Sequence, residues 1–130
     1  MQHKFSSLTE FAEKRETLRG QIRGICRNKP ELLYVALNEA VNNAFMHGYK
    51  RTDAGLVEVV IYQDQDEIVI KVSHEGQGLD RSRSARKKAL ISLEDHGRGL
   101  EIISKCADSY QYQGNGRELV MRKQIMARTD

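Results

Sequence analysis

Apolar residues keep helical spacing in the first part of the chain and alternate in the later part. Phe11, Leu18, Ile22 and Ile25 follow a Ser7-x-x-Glu10 capping box and predict a first amphipathic helix. Asn28-Lys29-Pro30 stops the chain and restarts it, with Pro30 suited to a helix's first turn. The second helix is predicted to run to about His47. Leu33, Leu37, Ala40 and Ala44 form its apolar face, and Gly48 ends it. Leu56–Tyr62 and Glu67–Ser73 are rich in β-branched residues, and the link Gln63-Asp64-Gln65-Asp66 makes them a hairpin. Val57, Val59 and Ile61 share one face, as do Ile68, Ile70 and Val72.

A glycine-containing basic loop is expected from about Glu75 to His96. A third helix follows, starting near Gly99 and ending before Asp108. Ser109–Gln113 and Arg117–Lys123 flank Gly114-Asn115-Gly116, a turn signal for a second hairpin. Helices grouped early and hairpins later predict an α+β fold. Its form is a two-layer α/β sandwich, a mixed or antiparallel sheet with helices on one face. The 130 residues fit a single domain spanning 1–130.

Composition removes several function classes. No apolar run approaches the roughly 18 residues of a membrane span, and the N-terminus has no apolar stretch like a signal peptide's. A cytoplasmic protein without a membrane partner is the expectation. Cys26 and Cys106 are too few and too far apart for a disulfide framework or a metal site, and read as small buried or half-buried apolar residues. The net charge of +3 is modest. The basic residues concentrate in Arg81–Lys88, RSRSARKK, which reads as a solvated loop. No aromatic residues interleave with them, so a stacking surface for nucleic acid is not expected.

The chemistry lies in two segments and a turn between them. Glu39, Asn43 and His47 recur every four residues, a stripe offset from the apolar face of the second helix. A carboxylate there can take a proton, and an amide oxygen is a hard ligand for Mg²⁺. Gly76 and Gly78 follow the strand that ends near His74, and Gly97 and Gly99 precede the third helix. Glycine lets backbone approach a ligand closely, and a helix start offers free N–H groups to phosphate. Each signal alone has an ordinary reading as a polar helix face or a turn; the order of all three is the stronger signal.

That order resembles the GHKL ATPases, and most of all the bacterial anti-sigma factor serine/threonine kinases of partner-switching systems. NEAVNNAFMHGYK at Asn38–Lys50 is similar to their N-box, KVSHEGQGLD at Lys71–Asp80 to their first glycine box, and HGRGLEIISKCAD at His96–Asp108 to their second. The resemblance implies an ATP-binding domain in which Glu39 is the general base acting on a partner's serine and Asn43 ligates Mg²⁺. Gly76 and Gly78 shape the adenine end, and Gly97, Arg98, Gly99 and Leu100 belong to the phosphate end. Residues from about Leu79 to His96 become the ATP lid. It also implies a homodimer that binds a sigma factor and phosphorylates an anti-anti-sigma antagonist.

One position departs from the pattern. Where the family has an Asp that accepts from the adenine amino group, this chain has His74. Neutral histidine has one acceptor nitrogen and protonated histidine none. A hydrogen bond to a charged group is worth roughly 1.5–3 kcal/mol, so the exchange is expected to weaken binding about ten- to hundredfold. The alternative to a kinase is therefore a regulatory binding module of the same fold, with weak or no nucleotide binding.

Overall fold

A computed structural model describes residues 1–48, 56–74, 97–114 and 117–127, with backbone alone for 46–48 and 97–99. The chain order is β1 (Gln2–Phe5), α1 (Leu8–Ile25), α2 (Pro30–Gly48), β2 (Val57–Asp64), β3 (Glu67–His74), α3 (Gly97–Cys106), β4 (Ser109–Gln113) and β5 (Glu118–Gln124). The strands form one five-stranded sheet in the order β1-β2-β3-β5-β4. Every neighbouring pair is antiparallel. The α+β expectation holds, and the sheet is antiparallel rather than mixed.

Each helix follows from its sequence. Ser7 caps α1 by accepting from the Glu10 amide at 3.1 Å. The return half of the capping box goes one residue further back: the Glu10 carboxylate accepts from the amide and hydroxyl of Ser6, not from Ser7. These bonds hold the Glu10 carboxyl below its usual range. Phe11, Leu18 and Ile22 are fully buried. Lys29 takes a positive φ of 47° at the junction, and Pro30 opens α2. In α2 the buried stripe is wider than Leu33, Leu37 and Ala40, because Ala36, Val41 and Phe45 join it. Ala44 is only partly buried at its edge.

In the central hairpin Val59 faces Val72 and Ile61 faces Ile70, all buried, so the period-two pattern sets both register and face. The strands run one residue further than expected at His74 and two at Asp64, leaving only Gln65 and Asp66 for the turn. Gln65 takes a positive φ of 57° there. Gly114 opens the second turn with a φ of +57°, a conformation natural to glycine.

Strand β1 has no counterpart in the sequence reading. It is an edge strand of four residues in which only Phe5 is buried, too short and too polar for a period to show. The loop expected over 75–96, with Gly76, Gly78, the basic run and the lid, lies outside the described residues, as do Asn115 and Gly116.

Candidate functional site

The two ends of the sheet are built differently. At one end the α1–α2 junction, the β2–β3 turn, the end of α3 and the end of β5 are laced together. The Ile125 carbonyl accepts from the amides of Arg27 and Asn28, both at 2.9 Å, and the Ile125 amide donates to Asp66 at 2.9 Å. Asn28 Nδ2 donates to the Gln124 carbonyl at 3.3 Å. Asp108 accepts from the Gln124 amide at 2.7 Å and lies 3.8 Å from the buried Lys123 ammonium. Arg122 reaches both Asp64 and Glu67. We call this the clasped end.

The catalytic-looking residues lie away from it. Helix α2 starts beside the clasp and packs along β3, so Asn43 sits roughly 20 Å down its axis at 1.5 Å per residue. Strand β3 also starts at the clasp, and His74 is its last residue, roughly 23 Å along. Alternation puts His74 on the same face as the buried Ile70 and Val72, the face on which α2 packs. Its amide donates to the Arg117 carbonyl at 3.1 Å, which fixes it in the sheet. Helix α3 ends at the clasp through the Asp108 amide, which donates to Arg122, and packs along α2. Its glycine end therefore points toward the unclasped end.

Among the described residues, two buried side-chain polar atoms lack a hydrogen-bond partner: Asn43 Nδ2 and His74 Nδ1. An unsatisfied buried group costs about 1–3 kcal/mol. Both belong to residues singled out from the sequence, one on the helix and one on the strand it covers. A polar ligand between the layers would supply what each lacks.

Burial first, and then the Arg117 charge, hold the His74 pKa below its ordinary 6.5. The ring is therefore neutral at pH 7. Arg117 is a residue the sequence reading did not connect with the site, because only strand register brings it beside His74. Glu39, one turn before Asn43, is half-buried. Its charge contributes to raising the Cys106 thiol pKa, behind the larger effect of burial, which ties Glu39 electrostatically to α3. Cys26 and Cys106 are both buried free thiols, as their spacing implied.

Gly97, Arg98 and Gly99 were expected to precede the third helix and instead form its first turn. The amides of a first turn still lack intrahelical acceptors, so the free N–H groups expected there remain in either placement. Leu100 follows, partly buried. The side chain of His47 lies outside the described residues, and Gly76 and Gly78 lie outside them altogether.

The donor set fits an ion carried by phosphates better than a protein cage. Among the described residues no group of three or more His, Cys, Asp or Glu could hold a metal. A single amide oxygen from Asn43, with waters and phosphate oxygens, matches the way Mg²⁺ is usually held. No helix among the described residues is long and apolar enough to cross a membrane.

Comparison with known proteins gives this geometry a family. Residues 8–123 match the model of the histidine kinase-like ATPase domain. The anti-sigma F factor of Clostridium beijerinckii is 30% identical over 96 residues, covering 69% of this chain and 67% of the relative. That of Clostridium perfringens is 31% identical over 96 residues, 69% of each chain. That of Clostridium acetobutylicum is 29% identical over 97 residues, 70% of this chain and 67% of the relative. The matched span holds α1 through most of β5, including Glu39, Asn43, His74 and the start of α3. The chain therefore belongs to the histidine kinase-like ATPase family, where these relatives carry the name anti-sigma F factor.

Proposed function

We propose that the chain is an anti-sigma-type serine/threonine protein kinase, which binds ATP with Mg²⁺ at the unclasped end and phosphorylates a serine of an antagonist protein. The observation that carries the reading is the pair of unpartnered buried groups, Asn43 Nδ2 and His74 Nδ1, on the helix and strand that bear the family's motifs. Glu39 takes the proton of the attacking serine hydroxyl. The serine oxygen bonds to the γ-phosphorus, the bond to the β–γ bridging oxygen breaks, and ADP leaves. Asn43 Oδ1 holds the Mg²⁺, and Nδ2 donates to a phosphate oxygen. The ion supplies charge neutralisation on the phosphates. Gly97, Arg98 and Gly99 offer first-turn amides to the phosphates, with Leu100 behind them. Gly76 and Gly78 shape the adenine end beside His74. A sigma-factor partner belongs to the same reading, supported by the relatives' name, and an anti-anti-sigma antagonist, a homodimer and a cytoplasmic setting complete it as what the family resemblance implies.

Titration calorimetry with MgATP, followed by transfer of labelled γ-phosphate to the organism's own serine-bearing antagonist, tests it. Saturable binding and a phosphoserine are expected. Binding without transfer favours the second reading, a regulatory module of the same fold with weak nucleotide binding. The observation on that side is His74, neutral where the family presents an anionic acceptor.

A further inference from the structure

The deeper question at this site is which base it takes, and the answer rests on the nucleotide reading above. A carboxylate at the end of β3 is acceptor-only, so it demands an amino group on the base. A neutral imidazole carries one donor and one acceptor nitrogen. Which nitrogen holds the proton is normally set by the bond the other one makes. His74 Nδ1 has no protein partner. It can accept from a ligand amino group or, in the other tautomer, donate to a ligand carbonyl. The backbone bond to Arg117 and the pairing with Val57 fix the strand position from which the side chain leaves, and a change of tautomer then suits Nδ1 to either kind of ligand group. Burial and Arg117 remove the third option, the doubly protonated ring, near neutral pH.

We infer that His74 makes the site permissive at carbon 6 of the purine, so that 6-oxopurine nucleoside triphosphates bind alongside the 6-aminopurine ATP. The amino group of ATP donates to the deprotonated nitrogen of His74. The carbonyl of a 6-oxopurine accepts from the protonated one. An aspartate at the same place would meet that carbonyl with a second acceptor and repel it. The cost of such a mismatch is the cost of leaving buried polar groups unpaired.

The test compares MgATP with MgITP, whose base carries oxygen in place of the amino group, with the proton on N1 that the 6-oxo form brings, and no further substituent. Calorimetry on the full chain is expected to give dissociation constants within about tenfold of each other, since each nucleotide keeps one hydrogen bond. His74→Asp should tighten ATP, weaken ITP and open the ratio to about a hundredfold, the span of a charged hydrogen bond gained on one side and lost on the other. His74→Asn, which again offers a donor and an acceptor, should keep the ratio near that of the native chain; it serves as the control if His74→Asp folds poorly. ATP bound at least a hundredfold more tightly than ITP by the native chain overturns the inference and leaves the nucleotide reading standing. A ratio unchanged in His74→Asp also overturns it. No binding of either nucleotide by the native chain and by His74→Asp overturns both.

Discussion

The clasped and unclasped ends of the sheet share α2, β3 and α3 and treat their polar groups in opposite ways. At the clasped end, backbone and side-chain groups from Asn28, Asp66, Asp108, Gln124 and Ile125 find each other, although 96 residues separate Asn28 from Gln124 in the chain. At the unclasped end, Asn43 and His74 bury polar atoms with no partner. Buried polar groups in a folded protein are nearly always paired, so an exception calls for an explanation. The clasp pairs its polar groups within the chain. The other end leaves Asn43 Nδ2 and His74 Nδ1 unpaired, which is the basis of the proposed nucleotide site.

That contrast can be broken first at Glu39. Glu39→Ala should lower phosphoryl transfer by about 10²–10⁴-fold and leave MgATP affinity nearly unchanged, because a general base acts in the transition state. Equal losses in rate and affinity would assign Glu39 to binding instead. Next in size is the clasped side. Ile68 is fully buried on β3, one residue from the turn. Ile68→Ala should cost about 2–5 kcal/mol in denaturant unfolding while the folded fraction binds nucleotide as before. A change in intrinsic affinity would mean that the two ends are not separable.

Asn43→Ala carries the sharpest sign. Removing an unsatisfied buried amide should stabilise the ligand-free protein by about 1–3 kcal/mol, and at the same time abolish the Mg²⁺-dependent part of nucleotide binding. A destabilised ligand-free variant would show that Asn43 has a structural partner.

Much of this was legible in the sequence, for identifiable reasons. The Leu33, Leu37, Ala40 stripe and the Val59, Ile61, Ile70, Val72 alternation report burial directly, because one face of each element is covered. Asn43 and His74 were legible as candidate positions through family motifs, and the face of His74 follows from its even spacing with Ile70 and Val72. Their lack of partners was not legible, since it depends on what all other elements leave unmade. The clasp was invisible for the same reason: its bonds join Asn28 to Gln124 and Ile125 by fold, with no local pattern. Strand β1 escaped because Phe5 alone marks its buried face.

A smaller effect comes from pH. The folded His74 pKa lies below the 6.5 of the free side chain. Between those two values the unfolded chain holds a proton that the folded chain does not, so stability falls as pH drops below about 6.5. Nucleotide affinity should stay flat from about pH 8 to 6.5 and decline only below, and His74→Asn should remove both dependences. Melting temperatures and calorimetry between about pH 7.5 and 5.5 check this. A decline centred above 6.5 would contradict a half-buried ring whose pKa is held below the ordinary value.

The most direct measurement is a MgATP titration of the native chain beside Asn43→Ala, read by calorimetry and by the shift in melting temperature. One nucleotide per chain, a rise in melting temperature for the native protein and loss of the Mg²⁺-dependent part of both in a variant that melts no lower without ligand is the predicted result. No heat and no shift in the native protein at millimolar nucleotide would contradict the claim that the unpartnered end is a nucleotide site.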